Sequence, residues 1–267
     1  MTIYDFQPLS LSAIEAEIER DTCDKIGEIL IHQSVPSTND VLWQRFSEGH
    51  TSPAICLSET QTSGRGRRGD LWHSPSVGNL YFSLFWSFPA ETVSNGLSIA
   101  VGISLIETLK SEGINDLQLK WPNDVLYKRQ KLAGILVESR FGKHQNTVVG
   151  IGLNFKLPTA TKNKIHQPTT SLQQLCTKIP CRNRLAGKII QNMINTLETF
   201  QQRGLIAFLP QWSQYDALAN QDVMLIDGNE SLSVTARGIN EQGELRYEHN
   251  NSMHTLSNSH VSIRFAL

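Results

Sequence analysis

The sequence predicts an α+β fold: a mixed, mostly antiparallel sheet with helices packed on a face, followed by a small all-β unit at the C-terminus. Three observations lead there. Between residues 117 and 154, strand patterns follow one another over turns that are short, which makes them antiparallel neighbours. Residues 93–112 and 184–200 carry apolar side chains at helical spacing, as expected of helices packed on a sheet. After Asn220 the texture changes to short strands broken by Gly and Asn turns. A doubly wound parallel sheet does not fit this order.

The chain has 267 residues, enough for one large domain or a large and a small one. Hydrophobic residues make up 39% and charged residues 18%, a usual mix for a globular protein. The net charge is −1, which argues against a general nucleic-acid binder with its basic face. No apolar run reaches the roughly 18 residues of a membrane span. The start, MTIYDFQPLS, lacks the basic-then-apolar order of a signal peptide, so the expected compartment is the cytoplasm. Cys23, Cys56, Cys176 and Cys181 form no CxxC pair, and free thiols are expected.

In chain order, residues 1–27 hold a single helical pattern around Leu11, Ile14 and Ile18, read as an N-terminal extension. Ile26 to Ile31 reads as a first strand. Ser37, Thr38, Asn39 and Asp40 are N-cap candidates for a helix beginning there. Pro53 to Glu59 is a second strand, and Asn79 to Phe88, dense in aromatic and apolar residues, is the clearest one. The helix over 93–112 carries Val93, Leu97, Ala100, Val101, Leu105 and Leu109, and Gly113 stops it. Leu117–Lys120, a turn over 121–124, and Val125–Tyr127 come next. A hairpin turn over 128–130 leads to a strand over 131–138, then one over 147–154. Residues 156–170 read as a polar, mobile loop, and a short helix starts at Leu172. A periodic amphipathic helix runs from 184 to 200, and another opens after Gly204. Strands at 223–226, 232–238, 245–247 and 261–265 make a small SH3-like β-barrel, with Asp227-Gly228 as a hairpin signal. The expected divisions are 1–27, 28–219 and 220–267.

Between the second strand and the aromatic one lies Gln61-Thr62-Ser63-Gly64-Arg65-Gly66-Arg67-Arg68-Gly69, followed by Asp70-Leu71-Trp72. Glycine lets a ligand approach the backbone, and arginine offers a fork of donors to carboxylate or phosphate. Such a loop suits closure over an anion, and by composition alone it equally suits a solvated surface or a nucleic-acid patch. Two further runs accompany it, Lys120-Trp121-Pro122-Asn123-Asp124 and Lys131-Leu132-Ala133-Gly134-Ile135-Leu136-Val137-Glu138.

Taken together, these three ordered motifs resemble those of the biotin protein ligases. Ser37-Thr38-Asn39 resembles that family's first helix cap, and Gly150-Ile151-Gly152-Leu153-Asn154 its following strand. The resemblance covers roughly residues 30–267. It implies biotin–[acetyl-CoA-carboxylase] ligase activity: ATP-dependent adenylation of biotin to biotinyl-5′-AMP, then transfer to a lysine of a biotin carboxyl carrier protein or domain. It implies biotin and ATP as substrates and Mg²⁺ with the nucleotide. Since a carboxylate must meet a polyphosphate, cations are needed between the two anions. The resemblance makes Lys131, Arg67 and Asp124 catalytic, with Asp124 beside the acceptor amine. It assigns biotin to Ser37, Thr38, Asn39, Gln61, Arg65, Gly66, Arg67, Lys131, Gly134 and Leu136. It assigns the nucleotide or adenylate to Arg65, Arg67, Arg68, Trp72, Lys120, Asn123, Asn154 and Arg237, and no metal site to the protein itself.

Each residue also has a plainer reading: a strand-end lysine for Lys131 and Lys120, a turn-capping carboxylate for Asp124, core packing for Trp72, a strand-end turn for Asn154. Two departures from the family stand out. Residues 1–27 are too few for a helix-turn-helix, so no DNA partner is expected. Residues 156–170 offer no Trp to cover adenine, leaving Ile165 and Pro168 as candidates. Neither is a membrane partner expected, and monomer and homodimer stay open. Rival readings are a lipoate or octanoate ligase or transferase of the same architecture, a biotinyl-AMP-binding regulator without efficient transfer, and a nucleic-acid module.

Overall fold

A computed structural model of the chain describes residues 7–76, 78–92, 94–165, 167–257 and 261–266. Val93, expected as the first apolar position of a helix, and the opening residues of the N-terminal extension lie outside the described residues.

The N-terminal residues form two short helices, α1 (Leu11–Glu15) and α2 (Arg20–Cys23), where the sequence pattern suggested one. Ile14 and Ile18 still point into the core. Strand β1 (Glu28–His32), helix α3 (Thr38–Ser47) and strand β2 (Ala54–Ser58) follow as a parallel crossover unit. After the Gly/Arg loop come β3 (Leu80–Pro89) and α4 (Leu97–Ser111). Next are β4 (Leu117–Lys120), β5 (Asp124–Tyr127), β6 (Gln130–Phe141) and β7 (His144–Leu153), joined by tight turns. The hairpin between β5 and β6 is tighter than expected: Lys128 and Arg129 turn at positive φ, and Gln130 already belongs to β6.

These seven strands form one sheet in the order β1-β2-β3-β7-β6-β5-β4, antiparallel except for β1–β2. Its two faces are covered differently. Ile55, Leu57, Phe82 and Leu84 face a large core shared with α4, while Ala54, Cys56 and Phe85 pack with Leu42 and Trp43 of α3. Because both faces are covered, β2 is buried at all five positions and shows no polar alternation.

Residues 156–170, expected as a mobile polar loop, include a helical turn, α5 (Thr159–Lys162). After α6 (Leu172–Leu175), the long helix α7 (Arg182–Arg203) lies beside α4, with Leu185, Ile189, Met193 and Leu197 buried. Gly187 lets α1 cross it closely, since a Cβ there would sit 2.4 Å from Ile14 O. A 3₁₀ turn then leads into α8 (Leu209–Tyr215).

The C-terminal unit is a five-stranded antiparallel sheet: β8 (Asp222–Asp227), β9 (Glu230–Ile239), β10 (Leu245–His249), β11 (Ser252–Leu256) and β12 (Ser262–Phe265), in the order β11-β10-β9-β8-β12. Strand β11 is absent from the sequence reading. Its signal is Asn250-Asn251, both at positive φ, the requirement of a two-residue hairpin turn. The second sheet shares its core with the first through Val223, Val234, Ala236, Leu245 and Ile263. Trp121 Nε1 bonds Gly243 O at 2.8 Å across the seam.

Candidate active site

A cavity of about 200 Å³ opens on the α3 face of the large sheet. Its floor is made of glycine. Gly134 of β6 faces Gly152 of β7, and Leu136 faces Gly150. Added Cβ atoms would strike neighbours: Gly150 the Asn39 side chain at 2.4 Å, Gly152 the Trp72 ring at 2.3 Å, and Gly134 the same ring at 2.9 Å. The absence of side chains is what lets Asn39 and the indole lie against the sheet.

One end of the cavity is lined by hydroxyl and amide side chains. Helix α3 begins there, and its first amide is capped by a distant residue: Thr38 N donates to Gln61 Oε1 at 2.8 Å. Ser37, at the N-cap position, makes no side-chain capping bond. Ser83 Oγ lies 2.6 Å from both Thr38 Oγ1 and Asn39 Oδ1, and Asn39 Nδ2 donates to Glu138 Oε2 at 2.8 Å. The Gly/Arg loop is moored to this group. Arg65 pairs with Asp40 at 2.6 Å and Glu138 at 3.3 Å, which raises its pKa through those carboxylates. Gln61 Nε2 holds Ser74 Oγ at 3.1 Å.

The opposite end is charged. Lys131 Nζ stands 2.8 Å from Asp124 Oδ1, both side chains 15% exposed, and 5.1 Å from the centre of the Trp72 ring. The pair is an ion pair in contact rather than a well-directed hydrogen bond, since Asp124 Oδ1 lacks a partner of hydrogen-bond geometry. A bulge creates it. Asp124 pairs with Gly134 in register, but a residue is inserted between Ala133 and Lys131 opposite Val125 and Leu126. Lys131 and Gly134, three apart, would point to opposite faces of a regular strand; the bulge turns both toward the cavity. The strand's end is clamped as well: Lys131 N bonds Pro168 O and Lys131 O accepts from Thr170 N, each at 2.9 Å.

More cations line the same end. Arg67 Nη1 reaches Asn123 Oδ1 at 3.4 Å, and burial together with the neighbouring Arg68 charge holds its pKa below that of a free guanidinium. Burial also lowers the pKa of Lys120, with Asp124 opposing the shift and Lys131 and Arg264 adding to it. Asn123 is locked by Nδ2 donating to Ile135 O at 2.7 Å.

Of the residues singled out in the sequence, Ser37, Thr38, Asn39, Gln61, Arg65, Gly66, Arg67, Arg68, Trp72, Lys120, Asn123, Asp124, Lys131, Gly134 and Leu136 all line this cavity. Two do not. Asn154 is buried beneath it, donating to Thr170 O, and Arg237 is on the second sheet, bonded to Glu248 and Asn220. Ile165 is also outside the lining, and Gln167 takes the place expected of Pro168. Sequence reasoning missed Ser83, read Asp40 only as an N-cap candidate, and gave no role to Glu138. It also missed the wall supplied by Val261, Ser262 and Ile263 of the second sheet, which no local motif marks.

The model of the Biotin/lipoate A/B protein ligase family matches residues 31–154. Over 245 residues the chain is 35% identical to the Bifunctional ligase/repressor BirA of Escherichia coli, covering 90% of this chain and 75% of that protein. It is 27% identical over 215 residues to the biotin–[acetyl-CoA-carboxylase] ligase of Mycobacterium tuberculosis, covering 78% of this chain and 79% of that one. Among solved structures, the biotin protein ligase from Aquifex aeolicus in complex with biotin and ATP superposes with a TM-score of 0.75 at 24% identity, covering 90% of this chain and all of that one.

Proposed function

We infer the activity from the family: this chain belongs to the biotin/lipoate A/B protein ligases. It is a biotin–protein ligase. The biotin carboxylate attacks the α-phosphorus of ATP, pyrophosphate leaves, and biotinyl-5′-AMP forms. The amine of an acceptor lysine on a biotin carboxyl carrier domain then attacks the acyl carbon, and AMP leaves.

The observation that carries this reading is the division of the cavity. The end lined by the hydroxyl and amide groups of Ser37, Thr38, Asn39 and Gln61 suits the ureido ring of biotin. A charged end, Lys131, Lys120, Arg67 and Arg68 around Asp124, suits the meeting of a carboxylate with a polyphosphate. Cations fixed before substrate arrives stabilise the charge that grows on the α-phosphate oxygens without reorganising. Lys131 is given this task because the bulge and the two main-chain bonds hold it. Once phosphate draws Lys131 away, Asp124 is left to receive the proton of the acceptor amine. Mg²⁺ would come with the nucleotide, held mainly by phosphate oxygens and water. Trp72 would cover the activated acid against water.

Asn154 and Arg237 are given no direct contact with the adenylate. Asn154 acts on the segment after Lys131 by holding Thr170. Residues 7–23 are spent on two short helices, one of them packed on α7, and no DNA contact is proposed for them. No helix among the described residues is long and apolar enough to cross a membrane, and the cytoplasm is the proposed site of reaction because ATP and carrier domains are found there.

The test is exchange of labelled pyrophosphate into ATP, with biotin, lipoate and octanoate supplied separately. Exchange with biotin alone is expected, and adding a carrier domain should give labelled carrier. Exchange with lipoate or octanoate instead would move the chain to its sister activity. D124N separates the steps: exchange should persist while transfer to the carrier slows.

A further inference from the structure

Behind the cavity lies a buried polar cluster that simple packing does not require. Arg182, at the start of α7, has a side chain 3% exposed. Its guanidinium grips Glu59 with two bonds of 2.7 Å. It also donates to the main-chain oxygens of Asn79, at 3.2 Å, and Gln7, at 3.0 Å. Glu59 Oε1 accepts from Leu9 N at 2.7 Å. Asn79, wholly buried, branches two ways. Its Oδ1 accepts from Phe155 N and Lys156 N, both at 2.8 Å. Its Nδ2 donates to Tyr81 OH at 3.0 Å, which donates on to Pro75 O at 3.0 Å.

A buried ion pair is a poor source of stability, because apolar side chains of similar volume serve as well. This one is placed where it fixes chain direction. Glu59 is the first residue after β2 and opens the loop that carries Gln61, Arg65, Arg67 and Trp72, and Pro75 is near that loop's end. Phe155 and Lys156 open the second loop, which supplies Gln167 to the cavity and ends zipped to Lys131. The N-terminal residues Gln7 and Leu9 are tied to the same point.

We infer that Asn79, Tyr81 and Arg182 are positioning residues for the ligase reaction: one buried network holds both loops that bound the cavity, with Asn79 as the branch point. None of the three lines the cavity. The kinetic part rests on the ligase reading; the structural part does not.

Hydrogen–deuterium exchange on the full, ligand-free chain tests it with three variants. Y81F cuts only the branch to Pro75, so residues 72–76 should exchange roughly fivefold faster, as expected for one lost hydrogen bond, while 155–165 stay as they were. N79S cuts both branches, and both loops should loosen. R182K should loosen residues 7–10 as well. In all three, strands β6 and β7 should keep their protection. In pyrophosphate exchange, Y81F should raise KM for ATP several-fold with little change in kcat. A rise spread evenly over the chain, unchanged loops in Y81F and N79S, or loops that loosen with unaltered KM would each overturn the proposal. If R182K does not fold, Y81F, which loses a single oxygen, still decides. If the unaltered chain shows no exchange with any acid, the ligase reading fails, and the deuterium pattern still judges the network.

Discussion

At the scale of single residues, Lys131 and Asp124 cannot be understood separately. A buried charge that loses its partner is costly, because the survivor is left uncompensated. K131Q should lower biotin-dependent pyrophosphate exchange by about 10²–10³-fold, the usual loss when one preorganised charge stabiliser is removed. It should also lower Tm, because Asp124 loses its ion-pair partner. The double variant K131Q/D124N should recover Tm and stay inactive in exchange. If Tm and activity recover together, Lys131 is a structural lysine and its catalytic role is lost. Arg65 makes a similar point: composition offers it as an anion binder, yet Asp40 and Glu138 already hold it and thereby moor the loop.

At the scale of elements, β6 and β7 build the site by what they leave out. Gly134 and Gly152 form a flat strip on which the Trp72 ring lies. In G152A the new Cβ would lie 2.3–2.6 Å from three atoms of that ring, so the ring must move. Overpacking of this kind costs about 1–3 kcal/mol, and each kcal/mol is roughly 2–4 °C in a chain of this size. G152A should therefore lower Tm by several degrees and weaken biotin binding measured by calorimetry. G142A, in the hairpin between the same strands, meets nothing closer than 4.0 Å and should change neither. Equal effects of the two would show that the strip has no special part in binding.

At the scale of the whole molecule, the segment that links the two sheets carries a half-buried carboxylate. The main chain at Asp216, just after α8, bridges to Leu119 of β4, and the Asp216 Oδ1 accepts from Leu218 N at 2.8 Å. Burial pushes its pKa up from 3.8 to about 6. The folded chain therefore holds a proton that the unfolded chain has lost between those values. Stability falls as pH rises through that window, and the full penalty is present above about pH 6. D216N removes the penalty. It should raise stability at pH 8 by about 1–3 kcal/mol, the value of one to two pK units, and give no gain near pH 3.5. Thermal melts at both pH values check this, and an equal gain at both would rule out charge burial as the cause.

Much of the fold was readable from local pattern. Period-two runs, helical apolar spacing and turn residues are short-range signals, so β4 appeared at its true bounds and the Gly/Arg loop stood out by composition alone. The family motifs gathered fifteen of the singled-out residues that line the cavity. Other features have no local signal. Strand β11 depends on a two-Asn turn without glycine, and the break between α1 and α2 is set by packing on α7. The facing of Lys131 comes from a bulge in register with another strand, which no periodicity within one strand can express. Glu138, Ser83 and the wall from β12 enter the site by long-range packing. The sequence determined which side chains carry charge and which stretches pair or coil, because those follow from residue type and spacing. Only the tertiary structure decided which charges neutralise one another and which face the cavity, because partners such as Arg65 and Glu138 are 73 residues apart and meet only once the sheet has closed over the loop.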